Sequence, residues 1–174
     1  YLSPKGDGPV RLVGVNMERD TKGVIIDAMG VNGRSASSWL RWDPDQLKQW
    51  FSRRPYDLIV LSYGTNEGSD PSLTPEAYRS TLKGTLSRVR SILPDVPCIL
   101  VGSGDRARLI SGTRYEVWGN TGWINAIQRE EAPHYGCVAW DLQAAMGGEG
   151  SVVGWRKAEP PLMGSDLLHF SAAG

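Results

Sequence analysis

The sequence has little that would suit a metal centre, a membrane span or a nucleic-acid partner. Only two of its 174 residues are histidines and two are cysteines, so a site with several histidine ligands is not expected. No run approaches the roughly 18 apolar residues that a spanning helix needs, and no basic-then-apolar signal peptide is visible. Lys plus Arg equals Asp plus Glu, at 19 each, so the chain lacks the basic excess that favours nucleic acid or an anionic membrane surface.

The two cysteines and the seven tryptophans each allow two interpretations. Cys98 and Cys137 lie in apolar runs, PCILVG and GCVAWDL, that predict buried strands, and we expect two buried free thiols there. A disulfide would require the two strands to be neighbours with suitable geometry, which a sequence does not show. The tryptophans are either large core residues or surfaces on which a carbohydrate stacks.

Apolar runs alternate with helical patterns along the chain. Strands are predicted at residues 10–18, 24–27, 58–63, 99–102 and 137–142. Helices are predicted at residues 35–41, 43–54, 74–93 and about 120–133. Asp43 and Thr74 are the expected caps of the second and third helices, because each precedes a proline at the first helical position. Residues 147–165 are rich in glycine and proline and predict a loop.

This alternation predicts an α/β fold with a parallel sheet and helices on both faces. In such sheets the chemistry lies at the carboxyl ends of the strands. Three polar clusters follow predicted strands: GVNGRS at 30–35, GTNEG at 64–68 and GSGDR at 102–106. We therefore expect a functional site at this edge of the sheet.

The strongest local signal is Asp166 three residues before His169. At this spacing the carboxylate can fold back onto the imidazole Nδ1–H, which fixes the tautomer and leaves Nε2 free as a base. The alternative is a helix-capping aspartate beside an unrelated histidine. His134 has no carboxylate at a useful spacing and is interpreted as a surface residue.

Two further clusters could donate hydrogen bonds to an anion. Asn66 follows Gly64 just past a buried strand, where its side-chain amide could point into a cleft and serve as an oxyanion donor. The turn around Gly30 and Gly33 lies between a strand and a helix and could present backbone N–H groups. Taken alone, each cluster is equally consistent with a plain turn.

Together these clusters resemble the motif blocks of the SGNH (GDSL-like) hydrolases. GVNGRS is similar to the glycine block, GTNE to the asparagine block and DLLHF to the Asp–His block. Within that family the chain looks closest to the bacterial peptidoglycan O-acetylesterases, on YDLIVLSYGTNEG, AWDLQAAMGG and the final DxxHFS. The resemblance implies a three-layer flavodoxin-like sheet with helices on both faces, whose first strand is missing from this chain.

Carried over to this sequence, the resemblance implies a role for each motif residue. His169 is the general base and Asp166 orients it. Asn66 donates its amide to the oxyanion and Gly33 a backbone N–H, with Gly30 as the second candidate. Glu67 stands where many members of the family carry aspartate.

One block of the family is missing: the Gly-Asp-Ser that carries the nucleophile. Gly6-Asp7-Gly8 and Gly104-Asp105-Arg106 lack the serine. Three other serines are interpreted as cap or loop residues: Ser35, Ser37 and Ser165. We therefore expect the nucleophile outside this chain, with residues 1–22 as the tail of an inserted β-rich module and residues 23–174 as the C-terminal part of the hydrolase domain.

The function that the resemblance implies is a serine esterase removing O-acetyl groups from a bacterial cell-wall polysaccharide. It would act in the periplasm or at the cell surface, on an acetylated glycan, together with the N-terminal segment that supplies the serine, and without a metal or organic cofactor. The alternatives are another carbohydrate acetylesterase, a lysophospholipase or an acetyltransferase of the same family. A catalytically inactive carbohydrate-binding relative and a flavodoxin-like phosphate-binding domain also remain open.

Overall fold

A computed structural model describes residues 3, 5–11 and 17–174. It divides into two compact units, residues 1–31 and residues 32–174. The strand predicted at 10–18 falls largely on residues outside the described ones. The division lies later in the chain than the predicted boundary after residue 22, and the origin of that first segment in an inserted module stays a prediction.

The strand predicted at 24–27, in the first unit, is wrong. Residues 23–31 have no regular secondary structure and form no ladder with any described strand. Val24 and Ile26 are 89% and 85% exposed, so the apolar run is not buried as the prediction required. A strand needs a hydrogen-bonded neighbour, and β-branched composition alone does not supply one.

The second unit alternates strands and helices in the predicted manner. Its helices are α1 (Ser38–Arg41), α2 (Pro44–Ser52), α3 (Pro75–Ile92), α4 (Asn120–Glu131), α5 (Leu142–Met146) and α6 (Ser151–Lys157), with 3₁₀ turns at Glu67–Ser69 and Ala132–Tyr135. Its strands are β1 (Ile59–Ser62), β2 (Cys98–Val101), β3 (Ala107–Ser111), β4 (Arg114–Val117) and β5 (Cys137–Trp140).

The caps of α2 and α3 are formed as predicted. The Asp43 carboxylate accepts from the N–H groups of Asp45 and Gln46, and the Thr74 hydroxyl accepts from the N–H of Ala77. Each contact satisfies an N–H at a helix end that has no partner within the helix. These caps fix where the two helices begin.

The sheet has the order β1-β2-β5, and all three strands run parallel. One face of the sheet packs against α3 and α4, and Leu61 and Leu100 on that face belong to the main hydrophobic core. On the opposite face Val60, Val138 and Trp140 are more than half exposed. The α/β class and the parallel sheet flanked by helices are confirmed, and the carboxyl ends of the three strands lie along one edge.

The hairpin of β3 and β4 and the helices α5 and α6 were not predicted. The antiparallel hairpin occupies residues for which neither a strand nor a helix was predicted, and α5 overlaps the end of the strand predicted at 137–142. Helix α6 lies in the glycine-rich and proline-rich segment 147–165. The hairpin and the two helices contribute to a second, smaller core of buried side chains: Ala107, Met146, Val152, Met163 and Leu167.

The expectation of two free thiols is wrong, because Cys98 and Cys137 form a disulfide. The physical reason is the sheet order. Strands β2 and β5 are neighbours, and their register pairs the two cysteines directly, with a Cα–Cα distance of 4.5 Å. This lies within the range that a disulfide bridges without backbone movement.

The disulfide gives a prediction for stability. It closes a segment with a sequence separation of 39 residues, for which the loop-entropy relation gives a stabilisation of about 4 kcal/mol. We expect the Cys98→Ser, Cys137→Ser double variant to lose about 2–4 kcal/mol of unfolding free energy in urea titrations. Equal urea midpoints for the parent with and without reductant would contradict this, and thiol titration of the unreduced protein is expected to detect no free thiol.

Candidate active site

His169 and Asp166 form a hydrogen-bonded pair in a loop near the end of the chain. The Asp166 Oδ2 atom lies 2.7 Å from the His169 Nδ1 atom. The Asp166 Oδ1 atom accepts from the backbone N–H groups of Leu168 and His169, both at 3.1 Å. Because Nδ1 faces the carboxylate, Nε2 is the nitrogen left to act as a base.

A buried leucine between the two residues shapes this loop, residues 163–170, which we call the base loop. Leu167 has a left-handed φ of 56°, a conformation that costs roughly 1–2 kcal/mol for a residue with a Cβ atom. Its side chain is 3% exposed, within the smaller core. Burial of the Leu167 side chain offsets this backbone cost. The left-handed conformation bends the chain between Asp166 and His169, so the two side chains can meet.

The carboxylate of the pair is strongly acidic. Hydrogen bonding from His169, through its ring and its backbone N–H, lowers the pKa of Asp166 from 3.8 to about 2. The ionised carboxylate therefore supports folding above pH 3.8, and this support is lost as the pH falls through about 2. Because both side chains are at least half exposed, solvent screening keeps the contribution to stability small.

Asn66 lies in a turn after β1, residues 64–69, which we call the amide turn. Gly64 begins it with a φ of 118°, and a Cβ atom there would lie 2.9 Å from Ile124 Cγ2. Glycine is therefore needed both for the backbone conformation and for the close approach of α4. The turn leaves the side chain of Asn66 exposed at the carboxyl edge of the sheet.

The amide turn holds the neighbouring glycine turn, residues 32–36. Asn66 Nδ2 donates to the carbonyl of Arg34 at 2.8 Å, and Glu67 Oε1 accepts from the N–H of Ala36 at 2.7 Å. Gly33 lies in this turn with a φ of 71°. An asparagine amide has two N–H donors, so the contact with Arg34 leaves one for another acceptor. The structure thus brings Asn66 and the turn that contains Gly33 together.

Glu67 is the link between the two turns, and its removal gives a prediction. Its second oxygen accepts from the N–H of Gly64 at 3.1 Å. Glu67→Ala leaves two backbone N–H groups without acceptors, one of them on the fully buried Ala36. We expect a loss of about 1–3 kcal/mol of unfolding free energy in urea titration. Glu149→Ala, at an exposed glutamate, is the matched control, and equal stability of the two variants would contradict the linking role.

The segment after β2 connects the amide turn with the base loop. Ser103 Oγ lies 3.2 Å from Thr65 Oγ1, and Arg106 Nη1 donates to the Thr65 carbonyl at 2.7 Å. The next residue, Ala107, donates its N–H to the carbonyl of Leu167 at 3.3 Å. One short segment therefore contacts both elements, which lie on the same side of the unit at the carboxyl ends of the strands.

The remaining candidates are placed elsewhere or have local roles. Gly30 belongs to the first unit, residues 1–31. Ser37 stands at the cap position of α1 without a capping hydrogen bond, and its hydroxyl lies 2.8 Å from that of Ser35. Ser165 is an exposed loop residue. His134 is exposed beside a cavity at the amino ends of β2 and β5, away from the site.

Sequence reasoning missed the role of residues 105–107. Asp105 is buried and accepts from Gln143 Nε2 and from the N–H of Val152, both at 2.9 Å. These contacts join the segment to α5 and α6. The signal in the sequence was the polar cluster GSGDR at 102–106 after a predicted strand, and that pattern does not show which elements its charged residues reach.

Within residues 3, 5–11 and 17–174, no group of three or more His, Cys, Asp or Glu side chains is placed to hold a metal ion. The chemistry that the described site can perform is proton transfer and hydrogen bonding. An imidazole with an ionised carboxylate at Nδ1 accepts a proton at Nε2. Amide N–H donors can stabilise a negative oxygen.

A carboxylate-bound imidazole and amide donors at one edge of a parallel sheet are characteristic of ester hydrolases, and comparison with known proteins agrees. The family model described as GDSL-like lipase/acylhydrolase matches residues 5–174. The chain belongs to this family. No curated protein matches the chain significantly.

Solved structures are similar to the chain over most of its length. A structure described as a peptidoglycan O-acetylesterase in action has 27% identity and a TM-score of 0.73, covering 83% of this chain. The matched region is 41% of that structure's chain, so the present chain spans less than half of it. A crystal structure described as an acetyl esterase mutant with acetate ion has 15% identity and a TM-score of 0.49, over 80% of this chain and 60% of its own.

Proposed function

We propose that the chain supplies the general base and the oxyanion donors of a serine esterase that removes O-acetyl groups from a bacterial cell-wall polysaccharide. The observation that carries the proposal is the pairing of Asp166 with His169 at 2.7 Å. The substrate class is supported by the likeness to a structure described as a peptidoglycan O-acetylesterase.

The proposed reaction is acyl transfer through a covalent intermediate. A serine hydroxyl attacks the acetyl carbonyl while His169 Nε2 takes its proton. The tetrahedral oxyanion is held by the N–H of Gly33 and the amide of Asn66. The intermediate collapses as His169 returns the proton to the departing sugar oxygen, and water then releases acetate and the free serine by the same steps.

The nucleophile is the part of this site that the sequence does not contain. No Gly-Asp-Ser occurs in the 174 residues, so we propose that a segment outside this chain supplies the serine. The exposure of the site fits this arrangement, since 78% of the His169 side chain and 51% of the Asp166 side chain face solvent. A serine and a substrate approaching this edge would cover groups that are now open to water.

We also propose an extracytoplasmic location. The disulfide between Cys98 and Cys137 is of the kind that persists in oxidising compartments such as the periplasm. None of the helices among the described residues has the length and apolar character to cross a membrane.

The test is acetate release from purified O-acetylated peptidoglycan by the polypeptide that contains this chain and the residues before it. We expect turnover by that polypeptide and none by the 174 residues alone. Turnover of 4-nitrophenyl acetate without release of acetate from peptidoglycan would show that the natural substrate is an ester other than the acetylated glycan. No turnover of either substrate by a folded polypeptide would overturn the esterase proposal in favour of an inactive glycan-binding relative.

A further inference from the structure

The geometry points to Arg106 as a positioning residue that holds Asn66 in place for the proposed esterase reaction. Arg106 is not a motif residue of the resemblance described above, and it does not itself reach the substrate in this inference. The inference rests on the proposed function, because it concerns the amide assigned to the oxyanion.

The first support is the set of contacts that the Arg106 guanidinium makes. Its Nη1 atom donates to the carbonyl of Thr65 at 2.7 Å and to the hydroxyl of Ser69 at 2.9 Å. These residues lie near the two ends of the amide turn, and Thr65 directly precedes Asn66. One nitrogen therefore fixes the peptide from which the Asn66 side chain projects.

The second support is the close packing around the guanidinium. Arg106 is 2% exposed, with its Cζ atom 4.5 Å from the ring centroid of Trp118. A Cβ atom at Gly68 would lie 2.5 Å from Arg106 Nη2. The guanidinium thus lies between an aromatic ring and the backbone of the amide turn, with no room for a side chain at Gly68 while it keeps this position.

The third support is that fold stability alone does not account for an arginine at this position. Its Nε and Nη2 atoms are buried without a hydrogen-bond partner, and burial lowers the pKa of the guanidinium. In the described part of the chain no carboxylate forms an ion pair with it. A methionine of similar length would avoid the desolvation of a charge, so the gains specific to arginine are its two hydrogen bonds to the turn and the contact of its cation with the Trp118 ring.

The fourth support is that Arg106 belongs to the segment that also contacts the base loop. Its own carbonyl accepts from the N–H of Trp118 at 3.2 Å, and the N–H of Ala107 donates to Leu167 at 3.3 Å. The backbone of this segment is therefore fixed on the side of His169, while the side chain of Arg106 reaches toward Asn66. Arg106 therefore fixes the position of the Asn66 amide relative to the His169 imidazole.

The kinetic test uses Arg106→Met, Asn66→Ala and the double variant, in the full polypeptide with 4-nitrophenyl acetate. Because a displacement of about 1 Å can cost up to about 100-fold, we expect Arg106→Met to lower kcat by roughly 10- to 100-fold with little change in KM. In the Asn66→Ala background the same change is expected to have an effect of less than about threefold, since the group that Arg106 positions is already gone. Effects that multiply would overturn the proposal.

Two further variants complete the kinetic test: a conservative replacement of Arg106, and a replacement of Gly68 that displaces the Arg106 guanidinium. Arg106→Lys is expected to recover part of the lost kcat, because an ammonium can still donate to the Thr65 carbonyl. Gly68→Ala is expected to lower kcat as Arg106→Met does, because the added methyl group displaces the guanidinium. A folded Gly68→Ala variant with the kcat of the parent would contradict the inference.

A readout without activity separates this inference from the proposed function. In ¹⁵N-resolved NMR spectra of the 174-residue chain, Arg106→Met is expected to shift the side-chain NH₂ signals of Asn66 and to leave the backbone signal of the distant Gly136 in place. Unchanged Asn66 signals would overturn the positioning role even if the polypeptide is an esterase. Shifted Asn66 signals in a protein without esterase activity would uphold the contact and overturn only the proposed function.

Discussion

Replacing His169 with alanine is expected to lower kcat for 4-nitrophenyl acetate by about 1,000-fold or more in the polypeptide that supplies the serine. The imidazole is the base that the site offers at Nε2, because Asp166, with a pKa of about 2, is weakly basic and is occupied by His169, and the Glu67 carboxylate accepts from two backbone N–H groups. Initial rates over a range of substrate concentrations measure the effect, and KM is expected to change little.

The chain offers a matched control for this prediction in its second histidine. His134 is exposed at the opposite end of the sheet, so His134→Ala is expected to retain the kcat of the parent. Asp166→Asn is expected to act in the same direction as His169→Ala, because the amide would no longer fix the tautomer with Nε2 free. A His169→Ala variant that is folded and as active as His134→Ala would remove the imidazole from the mechanism.

The elements that the sequence predicted well are those whose signals are local. The cap and proline at the start of α3 place its first turn within a few residues, and its apolar residues Leu82, Leu86 and Val89, spaced three and four apart, face the core. The spacing of Asp166 and His169 is equally local, since one turn of chain is enough to bring the carboxylate to Nδ1.

Features that depend on tertiary packing were missed. The disulfide requires β2 and β5 to be neighbours in register, and neither cysteine carries that information. Helix α6 contains Gly154, a weak helix former, and it is held by burial of Val152 and by the Trp155 indole donating to the Met146 carbonyl at 2.9 Å. Arg106 shows the same limit, because its partners lie about 40 residues away in the amide turn.

One miss had a readable signal. In the hairpin, β4 alternates polar and apolar residues, and β3 does so until Leu109-Ile110, where the register shifts. Two short runs of this kind joined by Gly112-Thr113 are typical of strands connected by a tight turn. The apolar run at residues 24–27 gave the opposite error, because its composition is that of a buried strand while its side chains are exposed.

Replacing Asn66 with alanine is expected to lower kcat by about 100- to 1,000-fold, which is the usual effect of removing one oxyanion donor. The variant also loses the hydrogen bond to the Arg34 carbonyl, so the loss must be separated from loosening of the glycine turn. Thr85→Val provides that control. The Thr85 hydroxyl donates to the Ala36 carbonyl at 3.0 Å in the same turn, and its removal is expected to cost about 1 kcal/mol of stability with kcat close to that of the parent. If Thr85→Val lowered kcat as much as Asn66→Ala, the amide would be a support of the turn and the oxyanion would require another donor.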